Sequence, residues 1–291
     1  MLPFAIPYPS IDPVAVQLGP VAIRWYALAY IVGILLGWWY SRRLVSNDRI
    51  WGRVPRPTPL EMDDFILYAT VGIVIGGRVG YVFFYNPGYY LYHPVEALQV
   101  WKGGMSFHGG FLGSMVAMWL FQRGREFSLW SLFDIFTASA TFGLFFGRVA
   151  NFINAELWGR PSNVPWAVIF PGDAASICPD GWVGACARHP SQLYEAGLEG
   201  IALFLLLLWA IRRGALARPG RVIGLFLIGY GAARIFVEQF RQADGQFVAP
   251  DNPHGHVIRL AGEWGLSMGQ VLSLPMLLAG LALLVWSGRR A

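Results

Sequence analysis

Apolar stretches close to 20 residues long recur along this chain, and a stretch of that length can cross the hydrocarbon core of a bilayer as a single helix. They fall at residues 21–40, 63–85, 107–122, 129–150, 192–211, 221–240 and 266–287. Of the 291 residues, 55% are hydrophobic and 13% charged, against about 25% charged in an average soluble domain. The expected fold is an all-α polytopic membrane protein of about seven transmembrane helices. It forms a single integral membrane domain over residues 1–291, with an insertion at residues 155–190 between the fourth and fifth helices.

The first stretch follows a Pro-rich start, Pro3 to Pro20, with neither a basic leading region nor a small-residue cleavage site. It therefore reads as a true first helix and not as a signal peptide. Arg42, Arg43, Arg49, Arg53 and Arg56 follow the first span, Arg123 and Arg125 the third, Arg212, Arg213, Arg218 and Arg221 the fifth, and Arg289 and Arg290 the seventh. Cytoplasmic loops carry the excess of arginine and lysine, which places the N-terminus outside and the C-terminus inside. Topology and the anionic lipids of the cytoplasmic leaflet account for most of the +5 net charge. No contiguous basic stripe suits nucleic acid. The loops assigned to the outside are the elaborate ones, and residues 155–190 are rich in Pro, Gly and Trp. Aromatic residues at this density favour ordered structure at the lipid interface. Cys178 and Cys186 lie in this insertion, where an oxidising compartment permits a disulfide. The alternative is two free thiols, with no His or Lys beside either to activate it.

Charge inside such a chain is costly, so intramembrane ionisable residues are functional candidates. The fourth span ends in Gly147-Arg148-Val149-Ala150-Asn151-Phe152-Ile153-Asn154-Ala155-Glu156-Leu157-Trp158-Gly159. If helical geometry persists, Arg148, Asn151 and Ala155 recur at helical spacing and Arg148 and Asn151 share a face. A guanidinium beside an amide suits a phosphate; the alternative is an arginine snorkelling to headgroups. In Gly76-Gly77-Arg78-Val79-Gly80-Tyr81 the glycines allow another helix to approach closely. Arg78 itself either faces inward as part of a site or pairs with a carboxylate such as Asp134 or Glu199. His108-Gly109-Gly110 opens the third span, where free N–H groups make an anion site and a histidine titrates near neutrality. His189 precedes Pro190, and Glu195 and Glu199 lie one turn apart in need of counter-charge. Tyr230, Arg234, Glu238 and Arg241 draw a polar stripe along the sixth span.

With these blocks in this order, and with Arg24-Trp25-Tyr26 ahead of them, the chain resembles the bacterial prolipoprotein diacylglyceryl transferases from end to end. The resemblance implies transfer of the diacylglyceryl group of phosphatidylglycerol to the lipobox cysteine of a preprolipoprotein, forming a thioether and releasing glycerol phosphate without metal or nucleotide. It implies residence in the bacterial inner membrane, an active site toward the periplasm, and phosphatidylglycerol and signal peptides as partners. Carried over, it makes Arg148 and Arg234 the essential arginines, supported by Tyr26, Asn151, Glu156, Gly159, Tyr230 and Glu238, with His108 as the residue that accepts or relays the thiol proton. Asn154, Arg78, His189, Gly109 and Gly110 complete the substrate-binding candidates. A transporter or channel for an anionic solute or lipid would also line its path with arginines and carboxylates, but near the midplane and open to both sides. A lipid hydrolase lacks support, since neither a Gly-x-Ser-x-Gly elbow nor a His-Glu-x-x-His motif occurs.

Overall fold

The computed structural model describes residues 5–19, 21–179, 181–249, 251–260 and 264–289. Pro3, Pro20 and Arg290 lie outside the described residues. Each of the seven apolar stretches forms a helix: α1 (Trp25–Val45), α2 (Pro59–Phe84), α3 (Phe107–Gln122), α4 (Leu129–Ile153), α5 (Ser191–Arg212), α6 (Arg221–Val237) and α7 (Met268–Gly288). Among the described residues, α2, α4, α5 and α7 are long and apolar enough to cross a membrane by length and composition. The 16 residues of α3 and the 17 of α6 fall short of the required length of about 20. With 21 residues α1 is long enough, but Trp25, Tyr26, Tyr30, Trp38, Trp39, Tyr40 and two arginines make it less apolar.

Side-chain caps set several helix starts. Thr58 accepts the Glu61 N–H while Glu61 accepts that of Thr58, a capping box that opens α2 four residues ahead of the expected start, and Ser267 and Gln270 do the same for α7. Ser106 and Ser128 cap α3 and α4. Between α4 and α6 the buried Asp134 accepts the backbone N–H of Gly220 at 2.8 Å and of Ile223 at 2.9 Å, so a side chain of one helix caps the first turn of another. Asp134→Ala is expected to lower the unfolding free energy by about 1–2 kcal/mol, with Asn recovering part of the loss, read by thermal unfolding in detergent.

Without a hydrophobic force between helices in lipid, small residues that let backbones approach become the packing surface. Gly72, Gly76 and Gly80 of α2 interlock with Gly109 and Gly113 of α3. A Cβ built on Gly80 would lie 2.8 Å from the Gly109 Cα, closer than real side chains approach. Gly33 of α1 faces Gly143 of α4, and Gly224 of α6 faces Gly280 of α7. At one end of the bundle the loops after α1, α3 and α5 close over Trp51, Leu132, Ile211 and Leu216, all fully or nearly fully buried.

At the other end, β1 (Ile6–Pro7) precedes a hairpin of β2 (Val14–Leu18) and β3 (Val21–Arg24), which delays the start of α1 to Trp25. The segment between α4 and α5 contributes β4 (Val168–Ile169), which pairs in parallel with β1. Cys178 and Cys186 form a disulfide in this segment. The segment between α6 and α7 adds a short pair, β5 (Ile258–Arg259) and β6 (Gly265–Leu266).

Candidate active site

The end of α4 is shaped by a backbone conformation the sequence does not advertise. The helix stops at Ile153, and Ala155 and Leu157 then take φ of +53° and +55°. Left-handed backbone costs an L-residue about 1–2 kcal/mol, and such strain collects at functional sites. Tyr8 donates its hydroxyl to the last carbonyls of the helix, those of Phe152 at 3.1 Å and Ile153 at 2.6 Å. Helical spacing therefore does not reach Ala155, contrary to the expectation, because the chain reverses there. The reversal carries Glu156 back toward Asn151, whose side-chain amide donates to the Glu156 carboxylate at 2.8 Å. Tyr26, at the start of α1, donates to the same carboxylate oxygen and accepts from Asn151. Gln192 fixes the Glu156 carbonyl at 2.6 Å, and Ser191 that of Leu157 at 3.1 Å.

Beside this triad, three helices bring three arginines onto three carboxylates. Arg148 of α4 places Nε 3.2 Å from Glu195 and Nη2 3.5 Å from Glu199. Arg234 of α6 reaches Glu195 at 2.5 Å and Glu238 at 2.8 Å. Arg241, just past α6, reaches Glu195 at 2.8 Å and Glu238 at 3.8 Å. Glu195 and Glu199 are fully buried, whereas the Arg148 and Arg234 side chains keep 19% and 16% of their surface. The carboxylates thus neutralise the arginines and hold one edge of each guanidinium. Each guanidinium has five N–H donors, and among the described residues no hydrogen bond reaches Nη1 of Arg148 or Nε of Arg234. Glu199 sits in a π-helical stretch, Ala196–Ala202, a local widening often found at functional sites. Tyr230 lies within electrostatic reach of Arg148, Arg234 and both α5 carboxylates, and Arg148 within reach of Tyr26.

The segment after α4 threads through the site with no room to spare. A Cβ on Gly159 would lie 2.7 Å from the carbonyl oxygen and the Cβ of His189, with the Phe240 carbonyl closer still. The Gly159 N–H donates to the His189 carbonyl at 2.9 Å. Trp166 Nε1 donates to the Tyr194 hydroxyl at 2.7 Å, which in turn lies 3.0 Å from His189 Nδ1. Burial pushes the His189 pKa below its ordinary value, because a buried site disfavours the charged ring. Arg188 holds the segment together: it donates to the carbonyls of Ala175 at 2.7 Å, Gly159 at 3.3 Å and Ile177, and lies 4.0 Å over the Trp158 ring. Burial pushes its pKa down to about 10, still high enough to keep it charged at neutrality.

Among the described residues, the other expected residues make no ion pair or hydrogen bond with the arginine cluster. Arg78 pairs with neither Asp134 nor Glu199. Its guanidinium donates to the carbonyls of Glu96 at 2.5 Å, Ala97 at 2.7 Å, Gly103 at 2.6 Å and Gly104 at 3.1 Å, and so staples the loop between α2 and α3. Gly109 serves helix packing, and its N–H and that of Gly110 are occupied by Ser106 at 3.2 Å and 2.9 Å. His108 is exposed, in edge contact with Phe107, and among the described residues it makes no hydrogen bond to the arginine cluster. Asn154 caps the end of α4 with its side-chain oxygen buried and unpaired. Glu195 and Glu199 stand in the sequence as charges needing partners, and Arg241 as the last member of the polar stripe of the sixth span. Arg188 carries no sequence signal, because its partners are carbonyls and a ring. Among the described residues, no group of three or more His, Cys, Asp or Glu side chains stands where it could hold a metal ion.

Comparison with known proteins adds the following. Residues 13–286 match the model of a family described as prolipoprotein diacylglyceryl transferase. A phosphatidylglycerol–prolipoprotein diacylglyceryl transferase of Rhizobium meliloti is 52% identical over 288 residues, covering 98% of this chain and 94% of the relative. One from Cereibacter sphaeroides is 52% identical over 293 residues, with 98% and 99% covered. One from Ruegeria pomeroyi is 54% identical over 262 residues, with 89% and 88% covered.

Proposed function

The chain belongs to the prolipoprotein diacylglyceryl transferase family, and we propose that it performs this transfer at the arginine–carboxylate cluster of α4, α5 and α6. It moves the diacylglyceryl group of phosphatidylglycerol to prolipoprotein. In the proposed step, the lipobox cysteine sulfur bonds to the glycerol carbon bearing the phosphate. The C–O bond at that carbon breaks, glycerol phosphate leaves with the electron pair, and the thiol proton passes to a base. Charge on the phosphate grows from about one to two negative units as the diester becomes a monoester. The free edges of Arg148 and Arg234 are placed to receive that charge in a poorly hydrated site. The observation that carries the reading is the convergence of Arg148, Arg234 and Arg241 on the fully buried Glu195.

Phosphatidylglycerol and the signal peptide would meet where the Tyr26–Asn151–Glu156 triad borders the cluster. His108 is the base of this reading: it is exposed, so an incoming cysteine reaches it without displacing a partner. Cysteine has an unperturbed pKa of about 8.5, so the step needs such a base or the cationic neighbourhood of Arg148. The reading takes α1–α7 as seven spans, four of them long and apolar enough by themselves. The β1–β4 pairing and the Tyr8 hydrogen bonds put the N-terminal segment beside the α4–α5 segment. Arginine-bearing loops gather at the opposite end, which by the positive-inside rule supports a periplasmic site. Arg148 and Arg234 lie within the last two turns of their helices, a placement that favours catalysis at one face over a transport path through the midplane.

Mass spectrometry of a lipobox peptide incubated with the purified protein and phosphatidylglycerol tests the reading. The cysteine is expected to gain one diacylglyceryl mass, and none with phosphatidylcholine; free diacylglycerol with an unmodified peptide would indicate hydrolysis instead. His108→Gln is expected to lower kcat about a hundredfold. Near-normal turnover in that variant with loss in Glu156→Gln would move the proton to Glu156.

A further inference from the structure

The far end of α1 carries a surface cavity of about 450 Å³ lined by Trp38, Trp39, Arg42, Arg43, Ser46 and Asn47. It lies at the opposite end of the helix from Tyr26, and nothing in the transfer reaction uses it. The Arg42 guanidinium lies 5.5 Å over the Trp38 ring, and that of Arg43 lies 5.0 Å over Trp39. Arg42 shares Asp63 with the Trp38 indole, at 3.4 Å and 2.7 Å, whereas Arg43 makes no ion pair among the described residues. The two arginines and Asp63 leave a net positive charge beside two rings, and Ser46 and Asn47 add polar groups at the rim.

The Trp-x-x-x-Arg spacing recurs at the same end of the bundle. Arg123 lies 4.7 Å over Trp119 at the end of α3, and Arg213 lies 5.5 Å over Trp209 at the end of α5. An indole belongs at the level of lipid headgroups, and a guanidinium on its face is aimed at the same depth. Single pairs are anchors. On α1 two pairs stand side by side with a cavity between them, and a planar guanidinium presents paired donors that match phosphate oxygens.

We infer that this cavity binds the phosphate of an anionic phospholipid of the leaflet at the arginine-rich end, apart from the lipid consumed in the reaction. The occupant is a lipid and not a soluble anion, because the apolar flank of α1 beside the cavity is exposed, with Leu35 at 51% and Trp39 at 49%, and can carry acyl chains. The inference rests on α1 crossing the bilayer with residues 42–47 at the cytoplasmic leaflet.

Phosphatidic acid bearing a photoactivatable acyl chain, with crosslinks mapped by peptide mass spectrometry, resolves this site from the reaction site. Crosslinks are expected on the C-terminal half of α1, with the zwitterionic phosphatidylcholine probe giving none above background. In Arg42→Ala/Arg43→Ala the yield there should fall about thirtyfold. Arg123→Ala/Arg213→Ala removes the same charge from the same end and should keep the yield. Undiminished crosslinking in the first variant overturns the inference. So does equal loss in both, which would make the attraction diffuse, or abolition by millimolar inorganic phosphate, which would assign the cavity to a free anion. Diacylglyceryl transfer in detergent with saturating phosphatidylglycerol should be unchanged in Arg42→Ala/Arg43→Ala, so loss of this lipid is separable from failure of the catalytic reading.

Discussion

Alanine at Arg234 is expected to lower diacylglyceryl transfer about a thousandfold, and glutamine at Glu195 at least a hundredfold. Removing one preorganised donor from a developing anion typically costs about 10²–10³ in kcat. Arg234 does more than donate, because it also bridges Glu195 at 2.5 Å to Glu238 at 2.8 Å. Without it, two buried carboxylates lose their shortest partner, and Arg241 is left to bridge both. Glutamine at Glu195 keeps the shape but offers one carbonyl oxygen where three guanidiniums converge. The cluster then holds three positive charges against two negative ones. The arginines are expected to repel and turn, so kcat should fall far more than the affinity for phosphatidylglycerol, which an added positive charge favours. Steady-state kinetics with varied lipid at saturating peptide checks the split. If KM rose while kcat held, Glu195 would be contacting substrate and not positioning the arginines.

Alanine at Gly113 is expected to destabilise the protein by about 3 kcal/mol or more, the upper range for overpacking a tight interface. Its methyl would overlap the Gly72 carbonyl oxygen and lie 2.9 Å from the carbonyl carbon of Gly72 and from the Gly76 Cα. All three are backbone atoms, so no rotamer change relieves the contact and α2 must separate from α3. The same change at Gly147 meets nothing within 4 Å, and there it should stabilise the helix by up to about 1 kcal/mol. Paired thermal unfolding of the two variants in one detergent measures the contrast, and equal midpoints would show that the helices adjust without strain.

The lengths of the apolar stretches announce seven helices because a bilayer selects for length, which a sequence displays directly. Their ends are less legible. Residues 21–24 read as the start of α1, but they pair with β2 instead, and cross-strand partners carry no local mark. The charged stripe of Tyr230, Arg234, Glu238 and Arg241 is plain, as is the need of Glu195 and Glu199 for counter-charge. That these are halves of one cluster depends on how α5 packs between α4 and α6. Arg78 escapes a sequence reading because its partners are carbonyls, which every residue possesses and none advertises. Asp134 likewise caps a helix start 86 residues away. The glycines at 76 and 80 are legible as a close-packing face, because side chains missing at helical spacing leave a groove that a second backbone fills.

Tyr8 closes the end of α4 from 144 residues upstream, and β1 waits for β4 in the same way. At a synthesis rate of roughly 5–20 residues per second, about seven to thirty seconds separate the emergence of Tyr8 from that of its acceptors. During that interval the N-terminal segment has no strand to join, and the reversal bearing Glu156 has not yet been made. The reaction site therefore matures in steps: the reversal bearing Glu156 is closed by the oldest part of the chain, and the arginine cluster is completed only when Glu195, Arg234 and Arg241 follow.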